Sequence, residues 1–287
     1  MSGLKEIRNR ISSVSSTMQI TNAMKMVSAA KLKKAQDSIS ATLPYSNKLS
    51  GLIQNISTSG DSLDSPFFTQ RSIKKILAVA ITSNRGLCGG FNSNVIKEVS
   101  RLIETKYVSK NVEIICIGKK GRDILSKKNN VIDSFNSVYD EFSYENVKKI
   151  AELFMEKFSD ESYDEIILVY NHAKNAATQH LTIEPYLPIE EDAEESSAQA
   201  SRDYIFEPSQ SEILNELIPK ALVVQLFKAI SDSIAGEHGA RMTAMYKATD
   251  NASEIRDQLK LTYNKARQTA ITNEILEIVG GAESLNS

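Results

Sequence analysis

The sequence predicts an α/β protein in which a long antiparallel coiled coil of N- and C-terminal helices accompanies a Rossmann-like α/β domain. Three observations carry this reading. From Leu4 to Gln36 there is neither Pro nor Gly, and apolar or small residues recur at steps of three and four. Between about residues 73 and 190, short apolar runs alternate with amphipathic stretches. From Ser209 to Gly280 only Pro219, Gly236 and Gly239 interrupt a helical pattern.

The first helix is expected over residues 1–57. Its stripe runs Leu4, Ile7, Ile11, Val14, Met18, Thr21, Met24 and Val27, the period of a seam that faces another helix, and continues through Ala30 and Leu32. Pro44 is a local blemish or kink, and the Ser57–Ser62 stretch is turn chemistry.

The middle of the chain changes period. Buried strands are expected at Lys75–Ile81, Val112–Gly118, Val131–Phe135, Asp164–Tyr170 and Gln179–Ile189. Helices are expected at residues 92–107, capped by Asn92 or Ser93, at Lys119–Lys128 and at Tyr144–Phe158. This alternation implies βαβ units and a mostly parallel sheet, one domain over residues 73–190.

Residues 190–208 combine an acidic loop with an edge strand, Tyr204–Pro208. The last helix then occupies residues 209–287, with Ser209 and Glu212 as a capping box and Gly280-Gly281 as a stop. Its ~70 residues span on the order of 100 Å, against three to four turns for an average globular helix. Its seam reads Met245, Ala248, Ala252, Ile255, Leu259, Thr262, Ala266, Thr269, Asn273, Leu276. The first half is apolar and the second small or polar. That decay fits either a weakly specified coiled coil or the tip of a shaft whose contacts slide. The economical arrangement pairs the terminal helices antiparallel, with the domain on one side.

Bulk composition narrows the chemistry. Hydrophobic residues make up 41% and charged ones 24% of 287 residues, enough for a packed core. The net charge of −2 hides a polarised distribution: residues 1–36 carry seven Lys/Arg against Glu6, whereas residues 190–195 are acidic. Cys88 and Cys116 lack CxxC spacing and there are three His, which argues against a disulfide framework and a zinc site. No apolar run approaches the ~18–20 residues needed to cross a bilayer, and the N-terminus lacks the apolar stretch of a secretory signal. The basic first helix lacks the aromatic interleaving of a nucleic-acid surface.

The most suggestive motif is Thr82–Asn92 (TSNRGLCGGFN), after a strand and before a helix, where doubly wound folds place phosphate-binding turns. Gly86, Gly89 and Gly90 do not fit GxGxxG, and no Lys-Ser/Thr follows them. A tight turn with Arg85 exposed is the simpler reading; a nucleotide-using enzyme built on Gly86–Gly90 is the alternative. Cys88 has no His near it in sequence, and His172, His180 and His238 show no activating pattern. No catalytic constellation, metal set or cofactor motif emerges.

Three stretches together resemble the gamma-subunit family of F-type ATP synthases: Leu4–Leu32 (LKEIRNRISSV…QITNAMKMVSAAKL), Arg85–Asn92 (RGLCGGFN), and Ala240–Ala252 (ARMTAMYKATDNA) with Tyr263–Ala282. The resemblance implies a non-catalytic rotating central stalk. Two terminal helices would be inserted in a hexamer of alpha and beta subunits, and the α/β domain would lie against the epsilon subunit and the membrane ring of c subunits. Proton flow would turn this assembly and drive ATP synthesis on beta. It further implies that Met24, Lys25, Arg241, Arg267, Gln268, Thr272 and Glu274 meet the alpha/beta hexamer. Arg85, Gly86, Leu87, Cys88, Gly89, Gly90 and Asn92 would lie near the rotor ring or epsilon. Asn84 stands where many members carry an acid, and the redox cysteine pair of chloroplast versions has no counterpart. The expected place is peripheral, on the cytoplasmic face of a bacterial inner membrane, with no nucleic acid and no membrane span of its own.

Overall fold

The computed structural model describes residues 2–57, 65–175, 178–189 and 210–285. The expected turn after residue 57, the acidic loop, the edge strand Tyr204–Pro208 and the Ser209 cap lie outside the described residues. Two long helices, α1 (Ser2–Ser57) and α5 (Gln210–Leu285), bracket an α/β domain in the chain. The chain divides into two compact units, residues 29–241 and residues 1–28 with 242–287.

In the larger unit, five strands form one sheet: β1 (Lys75–Ile81), β2 (Asn111–Ile117), β3 (Val131–Ser134), β4 (Glu165–Ala173) and β5 (Gln179–Leu187), in the order β3-β2-β1-β4-β5. The first four are parallel. β5 runs antiparallel to β4, from Ile166 opposite Leu187 to Ala173 opposite Gln179. The link between β4 and β5 is too short for a crossover helix, so only a hairpin closes it.

Helices cover both faces. Leu77, Val79 and Ile81 of β1 point into a core with α4 (Tyr144–Ser159) and Leu214–Ile230 of α5. Ile76, Ala78 and Ala80 point into a second core with α2 (Phe91–Thr105) and Leu125 of α3 (Lys119–Leu125). Strands buried on both sides lose the apolar/polar alternation, which is why β1 reads as a continuous apolar run. α4 buries Val147, Ile150, Ala151, Phe154, Met155 and Phe158, one stripe at helical spacing, and the Ser143 side chain accepts from the Asn146 N–H at 3.3 Å to cap it. In α1, Leu49 packs with Val224 of α5, beside Phe68, Leu217 and Ala221.

The smaller unit pairs the remaining parts of α1 and α5. The Thr21 and Thr249 hydroxyls lie 2.8 Å apart, Arg256 Nη1 is 3.6 Å from Met18 Sδ, and Lys25 Nζ stands 5.5 Å from the centre of the Tyr246 ring. The two numbers of each pair add to 270–274, so the helices are antiparallel. On α1 the sheltered positions Leu4, Ile7, Ile11, Val14, Met18, Thr21, Lys25 and Ser28 keep a strict seven-residue repeat.

Four expectations need correction. Val27 is exposed at 57%, and the seam passes through Ser28 instead, because heptad spacing rather than apolarity fixes the facing position. On α5, Ile255 and Thr262 are exposed while Arg256 and Tyr263 are half-buried: the expected and observed sets share the seven-residue repeat through Met245, Ala252, Leu259 and Ala266, and the intervening positions fall one residue later. α2 starts at Phe91 behind Gly90, with no side-chain cap; the Asn92 side chain turns back to the chain before it. Finally, α5 runs through Gly280-Gly281 to Leu285, since a helical Gly costs only about 1 kcal/mol and the residues that follow propagate the ladder.

Gly118 shows how tightly the strand ends are drawn together. It sits at φ 110°, and a Cβ there would lie 2.0 Å from the Thr82 carbonyl oxygen. Gly118→Ala is therefore expected to lose at least about 3 kcal/mol in urea unfolding of the purified chain. A variant with wild-type midpoint would refute this account of the β1–β2 ends.

Candidate functional site

Strand order reverses at β1. The chain passes from β1 outward to β2 and β3, then returns to place β4 on the other flank. In open α/β sheets the crevice at such a point, beyond the carboxyl ends of the strands, is where ligands bind. The Thr82–Asn92 turn fills this position.

The turn is knit from within. Thr82 N donates to the Ile117 carbonyl at 2.8 Å, and its hydroxyl accepts from the Gly121 N–H at 2.9 Å. The Ser83 N–H donates to Asn92 Oδ1 at 2.9 Å and the Ser83 hydroxyl to the Arg85 carbonyl at 2.6 Å. Asn92 Nδ2 in turn reaches Ser83 Oγ at 2.8 Å and Cys88 Sγ at 3.3 Å. Asn84 donates through Nδ2 to the Asn136 carbonyl at 2.9 Å and accepts the Lys119 N–H at 3.0 Å, tying the ends of β1, β2 and β3. A carboxylate at this position lacks the donor, so the Asn84 departure has a structural use here.

Its outer polarity is set by α5. Arg241 is buried, 7% exposed, and its Nε and Nη2 donate to the Gly86 carbonyl at 3.3 and 3.2 Å while Nη2 also reaches the Arg85 carbonyl at 3.0 Å. Nη1 lies 2.6 Å from Glu237 Oε1 and 3.4 Å from His238 Nδ1. Guanidinium only donates, so His238 Nδ1 accepts and its proton sits on Nε2. A phosphate cradle needs amide N–H groups aimed at the ligand. Here the carbonyls of Arg85 and Gly86 face a cation, the opposite polarity, and the side chain occupying the crevice belongs to the chain's own helix.

Close approach of α5 is possible because Gly236 lacks a side chain. A Cβ there would meet the Asn171 carbonyl and Phe91 Cε2, each at 3.3 Å. The buried Asn171 donates to the Phe91 carbonyl at 2.9 Å, which fixes β4 to the start of α2. Beside it, His172 Nδ1 is 2.8 Å from the buried Asp232 carboxylate. His172 faces His180 across the β4–β5 ladder, so these two are strand positions.

Titration behaviour follows burial. Burial raises the Glu237 carboxyl above its ordinary value, and the Arg241, Lys31 and Arg85 charges oppose that rise only in part. Burial, then the Arg241 and Lys31 charges, lowers His238 from 6.5 to about 4. Burial also raises both thiols, Cys116 to about 12, so neither is an activated nucleophile.

The structure brings Arg241 together with Arg85 and Gly86, residues that the family resemblance had assigned to different partners. Leu87 forms the exposed tip of the turn, at φ 62° and 64% exposure, while Cys88 is buried beneath it. Met24 and Lys25 are half-exposed on α1. Arg267, Gln268, Thr272 and Glu274 are exposed on α5, where the Thr272 hydroxyl bonds its own helix at the Gln268 carbonyl. Glu237 belongs to none of the sequence motifs, and its i,i+4 spacing to Arg241 is the sequence signal that marks it.

Two outcomes are expected. Arg241→Ala strands a buried carboxylate and should cost about 3–5 kcal/mol in urea unfolding; a loss under about 1 kcal/mol would contradict the burial of this pair. For His238 the folded pKa, about 4, lies below the ordinary 6.5, so the unfolded chain binds more protons between those values. Its contribution to stability is thus lost as pH falls through that window. His238→Gln, neutral throughout, should flatten the drop in urea midpoint between pH 7 and pH 5; an unchanged slope would count against it.

A family model described as ATP synthase matches residues 3–285. A Flavobacterium johnsoniae protein named ATP synthase gamma chain is 61% identical over 287 residues, covering all of both chains. One of the same name from Christiangramia forsetii is 58% identical, again over the whole of both. Among solved structures, a chain of the Euglena gracilis mitochondrial ATP synthase rotor shares the fold at TM-score 0.67, with 23% identity over 94% of this chain and 99% of that one. A chain from the central stalk and c-ring of the Tetrahymena thermophila mitochondrial enzyme gives TM-score 0.60 and 25% identity over 80% and 99%. The chain belongs to the ATP synthase gamma chain family.

Proposed function

We propose that the chain is the rotating, non-catalytic central-stalk subunit of a proton-driven F-type ATP synthase. It works at the cytoplasmic face of a bacterial inner membrane, held there by partners. The observation that carries this reading is the C-terminal part of α5. Beyond Ala266 every side chain that the structure describes is exposed, including Ile271, Ile275, Leu276, Ile278 and Val279 at 48–66%. A single helix with that much apolar surface in water calls for an enclosing partner. The α1–α5 register explains why α1 does not supply it: Leu4 falls opposite the region of Ala266, and the helix pair ends there.

The proposed partner is the alpha/beta hexamer, which Met24, Lys25, Arg267, Gln268, Thr272 and Glu274 would touch. The mixture of apolar side chains with Thr and Gln suits a contact that is re-made at each step of a rotation, since no one pairing is deeply favoured. An asymmetric helix turning inside three equivalent catalytic sites gives each a different contact free energy, which couples rotation to nucleotide affinity. The epsilon subunit and c-ring are the proposed partners of the α/β domain. Among the described residues, no helix is long and apolar enough to cross a membrane, in keeping with attachment through partners.

The direct test is reconstitution. Alpha and beta subunits combined with this chain and its membrane sector in vesicles should pump protons on ATP addition, and omission of the chain should abolish pumping. Within that system Leu276→Asp is expected to lower ATP synthesis about tenfold, the effect of losing about 1.4 kcal/mol of coupling. Pumping without the chain, or full synthesis by the Leu276→Asp complex, would overturn the proposal.

A further inference from the structure

We infer that Glu237 is a positioning residue for energy coupling. Through Arg241 it fixes the Arg85–Gly86 turn to α5, so that turn and helix move as one body. The inference rests on the central-stalk reading above, and it concerns a residue for which that reading has no role.

The geometry is specific. All three guanidinium nitrogens of Arg241 are engaged: Nη1 with Glu237 at 2.6 Å, Nη2 with the carbonyls of Arg85 and Gly86 at 3.0 and 3.2 Å, and Nε with Gly86 at 3.3 Å. Glu237 enters the fork from one helical turn away on the same helix and orients it toward the two carbonyls. Glu237 and Arg241 are 6% and 7% exposed, so water competes little for either. Lys31 of α1 and Arg85 of the turn also act on the Glu237 carboxylate, and Tyr139, from the 3-10 turn Ser137–Tyr139, feels its charge. One carboxylate thereby faces three cations from α5, α1 and the turn. Removing its charge leaves those cations to repel one another at the point where they must hold a fixed distance.

A second observation points the same way. Leu87, next to the clamped carbonyls, is held at φ 62° with 64% of its surface exposed. A non-glycine residue in the left-handed region is strained, and such strain persists only when the surroundings over-determine it. The internal bonds of Ser83 and Asn92 fix one side of the turn, and the Arg241 fork fixes the other. With all three of its nitrogens engaged and the carboxylate buried beside it, the fork holds the turn in one position against this stretch of α5. Stiffness at this point is what torque transmission through the turn requires.

The test uses the whole complex in vesicles, with wild-type chain, Glu237→Gln and Arg241→Lys, measuring ATP hydrolysis and proton pumping on the same preparation. Arg241→Lys keeps the charge partner of Glu237 but cannot fork onto two carbonyls. Both variants are expected to pump several-fold fewer protons per ATP hydrolysed, and Glu237→Asp should recover part of the loss. A purely stabilising pair would lower the yield and melting temperature of the complex while leaving protons per ATP unchanged in the intact fraction. That result, in either variant that assembles, overturns the inference. A wild-type complex that hydrolyses ATP without pumping would instead overturn the central-stalk reading, so the two failures are distinguishable.

Discussion

The guanidinium of Arg241 decides what this α/β domain is. A doubly wound sheet offers a crevice at its switch point, and the Thr82–Asn92 turn stands there as a nucleotide-binding turn would. Because Arg241 takes the Arg85 and Gly86 carbonyls, the turn presents acceptors to a cation rather than amides to a phosphate. The crevice is filled from within by α5. Much else follows from that packing: Gly236 has to be small, burial lowers His238 to about 4, and burial raises the Glu237 carboxyl while the Arg241 charge pulls it back.

The two units show different ways of holding helices. In the larger one, apolar layers on both sheet faces remove large side chains from water, and α5 contributes Leu214 through Ile230 to one of them. Burial of this kind is non-directional and strong, on the order of 25 cal/mol per Å². In the smaller one, the half-buried Leu4, Ile7, Ile11, Val14 and Met18 of α1 are joined by polar contacts: paired threonines, a methionine–arginine contact and a lysine over a tyrosine ring. On the α5 side the seam includes small and polar residues, Thr249, Ala252, Arg256 and Ala266 among them, which allow close approach but bury little apolar area. Past Ala266, among the described residues, every side chain is exposed, Ile, Leu and Val included.

Much of this was legible in the residues. β1 falls at Lys75–Ile81 as expected, and α4 and the start of β5 lie within a residue of their expected positions. The reason is that doubly buried strands and one-faced helices write their period directly into the apolar pattern. The seam misses have two causes. Val27 looks like a seam position when the step of three is repeated from Met24, yet the sheltered seven-residue repeat passes through Lys25 and Ser28; on α5 Ile255 and Thr262 keep that repeat in the wrong phase, and Arg256 and Tyr263, one residue later, take the sheltered places. Gly280-Gly281 resembles a stop because glycine favours helix ends, but a helical Gly costs only about 1 kcal/mol and the ladder continues to Leu285. The antiparallel edge strand was foreshadowed only by the short link after β4.

The sequence by itself determined the two terminal helices, the strand–helix alternation between them, and the family, because periodicity and motif are local properties of the chain. It also marked the 82–92 turn as the place to look. Only the tertiary structure decided what that turn faces. Arg241 lies more than 150 residues away in the chain, its bonds to the turn spanning separations of 155 and 156, and no local rule connects them. A cation's partners are fixed by which groups share its desolvated pocket, and that is settled when the sheet, α2 and α5 pack together, not by the order of residues along the chain.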